Sequence, residues 1–389
     1  MTYVIVPAHL LALGYGPSEV GLVVTAAMLG SAAATSMMGI LGRWHAPQQL
    51  LVVAALVMTA TGIAYASTTG IALLVFVAAI GTLNLTAGDV SVFLPLEQTA
   101  LANATDADDR PRVMARFDMV GVLIGAAGSL VAGLPLWIAD RTDQSDLTAH
   151  RWSFMSYSVA GVLALVLYRR LPQTQQRHSR PNAAVRSRLD PIARRRITRL
   201  TVLFSLDSFA SGFASHAVIS LWLYRRFDLD PAVVGAVFAA TGLMSAVSAQ
   251  LSPYLARRIG PVATMVATHA PASVLLIGVA FAPTSGIAIA LLIVRGITAR
   301  MDVPIRTSHV MSVVAPEHRS IAAAITNVPR SLAAALPAVI AGTLIARADV
   351  AWPLVVCATL KLVYDAALWI EDRRDRAATD DDSSSGANR

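Results

Sequence analysis

Seven polar or charged side chains sit inside long apolar runs, and their types define the chemistry open to this chain. Asp89, Asp207 and Asp302 are carboxylates, able to take up a proton or hold a cation. Arg295, Arg306 and Arg330 are fixed cations whose forked donors suit an anion. Asn327 adds a neutral amide to the set. A charge at the centre of a bilayer costs about 2.5–3.5 kcal/mol on insertion scales, so one kept there is paired, wet or useful.

Spacing narrows the roles without closing them. Asp302 and Arg306 are four residues apart, on one helical face, with Pro304 between them to remove a backbone donor and bend the helix. They read either as a structural ion pair closing one side of a bundle or as a substrate or coupling-ion site. Asp89, in Thr86-Ala87-Gly88-Asp89, reads as a proton carrier or as the permanent partner of Arg306 or Arg330. Arg295 and Arg330 would grip an anionic solute or neutralise Asp89 and Asp302. A second set, Arg43, Glu97, Arg116, Asp118, Arg257 and Arg258, falls at the edges of apolar segments and supplies gate or loop candidates. A solvated or arginine-paired role is expected for Glu97 and Asp118. His216 and His269 lie in apolar segments, as hydrogen-bonded structural residues or as proton relays. Gly121, Gly125, Gly128 and Gly133 are expected to let helices approach.

The elements that must position these residues are membrane helices. Hydrophobic residues make up 55% of the 389 and charged residues 14%, against roughly 25% charged in a soluble domain. Apolar runs of about 20 residues recur, long enough for a hydrocarbon core of roughly 30 Å. They predict helices over 1–14, 18–42, 48–67, 71–96, 112–138, 152–169, 200–223, 232–255, 262–282, 287–313, 320–346 and 351–370. The domains expected are a transmembrane bundle over 1–170, a basic cytoplasmic linker over 171–199, a second bundle over 200–370 and a disordered cytoplasmic tail over 371–389. Ten arginines between Arg169 and Arg199 face one acid, Asp190. With that stretch inside, loops on its side hold twenty arginines and the opposite side five. Residues 1–14 reach only about 21 Å as helix, so the first helix is expected to lack its linker-side half, through a start placed too late or a shortened chain.

The segments also repeat. Pro17, Gly21, Arg43 and Pro47 recur 214 residues later as Pro231, Gly235, Arg257 and Pro261. Arg110 and Gly133 recur 209 residues later as Arg319 and Gly342. Two halves of like design made of membrane helices point to a secondary transporter with its site between them. The six-plus-six pattern, the basic centre and the matched loops Gly39-Ile40-Leu41-Gly42-Arg43-Trp44-His45-Ala46-Pro47 and Pro253-Tyr254-Leu255-Ala256-Arg257-Arg258-Ile259-Gly260-Pro261 resemble the major facilitator superfamily. Both loops carry Arg where that family's signature carries Asp. Arg300-Met301-Asp302-Val303-Pro304-Ile305-Arg306 and Thr326-Asn327-Val328-Pro329-Arg330 are similar to segments of bacterial members. The resemblance implies an all-α membrane protein, a 6+6 bundle of eleven full helices and one partial one.

Several chemistries are excluded or disfavoured. The lone Lys361 follows Leu360, so no Gly-Lys-Ser/Thr phosphate loop exists. No His-Glu-x-x-His or Gly-x-Ser-x-Gly pattern supports hydrolysis, and the single Cys357 excludes an internal disulfide or a cysteine-based zinc site. No enzyme activity, cofactor, metal or nucleic-acid partner is expected. The function expected is secondary transport by alternating access, as proton-coupled efflux of a drug-like or organic compound. Import or exchange of an anionic metabolite is one alternative; a non-transporting sensor or an inactive chain is the other. The expected partners are a small-molecule substrate, the lipid bilayer of the cell inner membrane and protons, with a monomeric working unit.

Overall fold

A computed structural model describes residues 1–42, 44–86, 91–106, 109–171, 191–302, 305–306, 319–347 and 351–386. All regular structure among them is helical: α1 Thr2–Ala12, α2 Pro17–Leu41, α3 Pro47–Ser67, α4 Ile71–Ile80, α5 Phe93–Asn103, α6 Arg110–Val131, α7 Leu134–Arg141 and α8 Asp146–Arg169 in the first half. The second half holds α9 Pro191–Gly212, α10 His216–Phe227, α11 Pro231–Ile259, α12 Pro261–Ala280, α13 Ser285–Gly296, α14 Arg319–Ala335, α15 Pro337–Arg347 and α16 Trp352–Gly386.

The repeated prolines open equivalent helices. Pro17 and Pro231 start α2 and α11, and Pro47 and Pro261 start α3 and α12. Proline fits there because a first-turn N–H has no intrahelical partner to lose. The repeated glycines mark where the halves touch. A Cβ on Gly21 would lie 2.6 Å from the Ala338 carbonyl oxygen and 3.1 Å from Gly342 Cα, so α2 crosses α15 backbone to backbone. The counterpart crossing sets Gly235 of α11 against the Ser129 carbonyl of α6, and Gly133 against Ala232. Gly121, Gly125 and Gly128 do not share this role, because a Cβ on each would meet nothing within 4 Å.

These crossings lie at the end of the bundle opposite Arg169, where α8 ends, and Pro191, where α9 begins; it is here called the far end, and the other the linker end. One hydrophobic cluster there draws on both halves, with Val4, Leu10, Val20 and Val24 beside Val218, Trp222, Val234 and Ala338. Toward the linker end the core divides. Leu50, Leu51, Val92 and Leu96 cluster within the first half; Ile197, Phe204, Met265, Ile305 and Tyr364 cluster within the second. The halves are joined at the far end and packed separately at the linker end.

Eight helical runs among the described residues are long and apolar enough to cross a membrane; Thr2–Ala12, Ile71–Ile80 and Ser285–Gly296 are shorter apolar helices. The continuous helices expected over 71–96 and 287–313 are interrupted at matching places, after Ile80 and after Gly296. Gly81 packs against Thr61, and residues 82–86 then have no regular structure. Its backbone groups find partners elsewhere: Thr2 Oγ1 donates to the Asn84 carbonyl at 2.6 Å, and Asn84 Oδ1 accepts from the Thr86 amide at 3.1 Å. The Leu85 carbonyl takes the Ala217 amide at 3.4 Å, an otherwise orphaned donor in the first turn of α10. Gly296 packs on Thr241, and its carbonyl takes the Ser245 hydroxyl at 2.7 Å.

Three more expected helices are broken or displaced. The helix over 112–138 breaks between Val131 and Leu134; that over 200–223 begins at Pro191 and breaks after Gly212; that over 320–346 breaks at Leu336, before Pro337. The tail expected to be disordered is helical through Gly386, the first glycine or proline after Pro353.

Candidate functional site

Four segments of the second half bring six ionisable side chains into one buried network. Helix α9 supplies Asp207, α12 His269 and α16 both Lys361 and Asp365; Asp302 and Arg306 follow α13. None of the six residues exceeds 8% exposure. Lys361 and Asp365 are four apart on one helix, so they share a face.

Hydrogen bonds run through the set as a chain. Lys361 Nζ donates to Asp207 Oδ1 at 2.6 Å and to His269 Nε2 at 3.1 Å. An ammonium only donates, so Nε2 is the acceptor and the imidazole proton sits on Nδ1. That Nδ1–H donates to Asp365 Oδ1 at 2.9 Å. On the other side Arg306 Nη1 bridges Asp207 Oδ2 at 3.1 Å and Asp302 Oδ2 at 3.3 Å. The expected Asp302–Arg306 pair is therefore formed, with Asp207 as its third member. Asp207, His269 and Asp302 approach closely enough for one ion to reach all three, but Lys361 and Arg306 already bring positive charge to them.

Arg295 and Arg330 stand apart from this chain. Arg330 Nε donates to Ser208 Oγ at 3.2 Å, next in sequence to Asp207. Arg295 Nε is buried with no hydrogen-bond partner among the described residues. Of the two carboxylates expected to neutralise it, Asp302 pairs with Arg306. Asp89 and Arg43 lie outside the described residues, and Asn327 falls within α14 at a position whose side chain is not described.

The described edge residues sit on three helices, Glu97 on α5, Arg116 and Asp118 on α6, and Arg257 and Arg258 on α11. Glu97, half-buried, accepts the Tyr168 hydroxyl, which ties α5 to α8. Arg116 and Asp118 are exposed on α6. Arg257 and Arg258 are exposed in the last turn of α11, with Arg258 stacked over the Tyr254 ring at 4.7 Å. His216 packs between Tyr3 and Phe238. Sequence reasoning passed over Lys361 and Asp365. The usable signal was there: a chain's only lysine, four residues before an aspartate, inside an apolar run.

The sequence profile of the Major Facilitator Superfamily matches residues 1–286 and, in a second match, 200–387. The chain belongs to the Major Facilitator Superfamily. The overlapping matches accord with its doubled construction. An uncharacterized membrane protein of Saccharomyces cerevisiae is 21% identical over 336 residues, 77% of this chain and 75% of the yeast protein. Among solved structures, the inward-open xylose transporter XylE from E. coli superposes with a TM-score of 0.72 at 12% identity, covering 95% of this chain and 92% of XylE. A variant of the nucleoside transporter NupG gives 0.69 at 14% identity, over 95% and 97%. A bacterial homologue of the iron transporter ferroportin, in its inward-facing state, gives 0.67 at 13%, over 94% and 93%. At these identities the likeness is one of fold. A superfamily chain of this kind is a multi-pass membrane transporter, not an enzyme, and takes a small-molecule substrate within the membrane.

Proposed function

We propose that this superfamily member works as a proton-coupled secondary transporter, with residues 1–170 and 200–370 rocking against each other. The observation that carries the reading is the charge count of the buried network. Among the described residues, three carboxylates meet two fixed cations and one imidazole, which leaves one negative charge uncompensated within that set when the imidazole is neutral. An unbalanced buried charge is costly, and one bound proton removes it. The network is therefore suited to gaining and losing one proton per cycle.

The direction we assign is export of a small organic solute. The arginine excess argues for the linker end on the cytoplasmic side of the cell inner membrane. With the core divided there and shared at the far end, a solute loads from the cytoplasm. The relatives whose names give nucleosides and xylose as cargo support a solute of that size. The monomer is the working unit. The test is flux in proteoliposomes with a broad solute panel. We expect uptake into vesicles holding the protein inverted to need an acidic interior and to stop with a protonophore. Equal flux without a pH gradient would remove proton coupling; no flux of any solute would remove transport.

A second reading has its own observation. Arg295 Nε is buried without a hydrogen-bond partner among the described residues, and an intramembrane arginine so placed is costly unless it meets an anion in use. Arg295 thus favours an anionic solute, imported or exchanged. On that reading Arg295→Ala raises KM for the anion at least tenfold, and Arg330→Ala does so to a lesser degree. Unchanged anion transport in Arg295→Ala ends it.

A further inference from the structure

We propose that the exchangeable proton of the buried network resides on Asp365, with His269 as the relay that links it to Lys361 and Asp207. The inference rests on the proton-coupled reading above and names the atoms that carry it out.

The three carboxylates are not equally held. Asp207 receives two full cations, Lys361 on Oδ1 and Arg306 on Oδ2. Asp302 receives Arg306 at 3.3 Å. Asp365 receives only an imidazole N–H, on Oδ1, and its Oδ2 is buried with no partner among the described residues. A buried ionised oxygen without a donor loses its full hydration with nothing in return. If one of the three must be neutral for the charges to balance, Asp365 is the one whose neutral form sacrifices least.

The surroundings point the same way. Asp365 lines a groove between α12 and α16 whose other walls are apolar, among them Ile259, Val266, Ala267, Leu362 and Trp369. None of the described residues donates to Oδ2. Among the described residues, the charged and titratable groups against the His269–Asp365 pair are Asp207 from α9 and Lys361 and Tyr364 from α16; Asp302 and Arg306, beyond α13, join through Asp207, and Cys357 of α16 interacts with Lys361 and Asp207. Among the described residues, Lys361 alone brings a cation to His269 Nε2.

That contact supplies the route. When Lys361 withdraws from His269, Nε2 becomes free to bind an incoming proton. The Nδ1 proton then passes to Asp365 Oδ1, leaving a neutral imidazole and a neutral acid. The reverse transfer releases the proton when Lys361 returns. One proton enters and one leaves, and no other bond changes.

Infrared spectroscopy of the purified full-length protein tests the assignment without transport. The wild type should show the C=O stretch of a protonated carboxylic acid at neutral pH, disappearing at alkaline pH. The band should vanish in Asp365→Asn. Asp365→Glu, which keeps the charge, should shift it; Asp207→Glu and Asp302→Glu should leave it in place. Thermal unfolding of each variant checks that it is folded, and Asp365→Glu keeps the test open if Asp365→Asn is not. A band that survives Asp365→Asn, a shift caused by Asp207→Glu or Asp302→Glu, or no band in the wild type overturns the proposal. Flux insensitive to a pH gradient, with the band still following Asp365, would instead count against proton-coupled transport and leave the proton's location standing.

Discussion

Asp207 accepts from two cations, and the two play different parts. Arg306 is shared with Asp302, whereas Lys361 also occupies the free nitrogen of His269. Removing Lys361 leaves Asp207 and Asp365 with weaker compensation, and breaking one side of a buried pair costs about 3–5 kcal/mol. Lys361→Met should therefore lower the unfolding temperature of the detergent-solubilised protein clearly. Lys361→Met combined with Asp207→Asn should recover most of the loss, because the same net charge then remains as before. A double variant that loses the sum of both single losses would show that the pair is not coupled. Asp207, Asp302 and Arg306 were visible in the sequence because a charge inside an apolar run stands out. Lys361 and Asp365 were no less visible by that rule, but which charges meet is decided by helix packing. Asp302 and Arg306 alone were linked by sequence spacing; the path from Asp207 through Lys361 to His269 joins three helices far apart in the chain.

At the scale of elements, the glycine crossings make a measurable claim. A side chain at Gly342 would be driven into the Pro17 carbonyl of α2. Gly342→Leu should penalise the state with its far end closed by about 1–3 kcal/mol, the usual range for overpacking. The other state lacks that contact, so its ratio to the closed state should rise by roughly 5- to 150-fold. Cysteine accessibility or spin-label distances across α2 and α15 would read the shift. Gly121→Leu is the control, since its position is open. An equal response from both variants would mean that the crossing does not hold the far end shut. The repeat of Pro17, Gly21, Gly133 and Gly342 in the second half or the first was legible as duplication. That these glycines are the contact points was not, because a repeat gives equivalence and not adjacency. The interruptions after Ile80 and Gly296 were hidden for a related reason. Apolar residues continue past them, and the breaks are fixed by Gly81 against Thr61 and by Gly296 against Thr241, contacts between helices.

The whole molecule divides its apolar core unequally, with one shared cluster at the far end and two private ones at the linker end. Opening the far end must part the shared cluster, while closing the linker end must bring the private ones together. Parting also breaks backbone bonds. The Ala217 amide leaves the Leu85 carbonyl, and the Tyr224 hydroxyl leaves the Val4 carbonyl, which it meets at 2.9 Å. Each bond releases a donor and an acceptor at membrane depth, where hydrocarbon offers neither a substitute and each orphan costs several kcal/mol. Solvent must enter as the crevice forms, so in the export cycle proposed above the release of cargo and the flooding of that crevice are a single event.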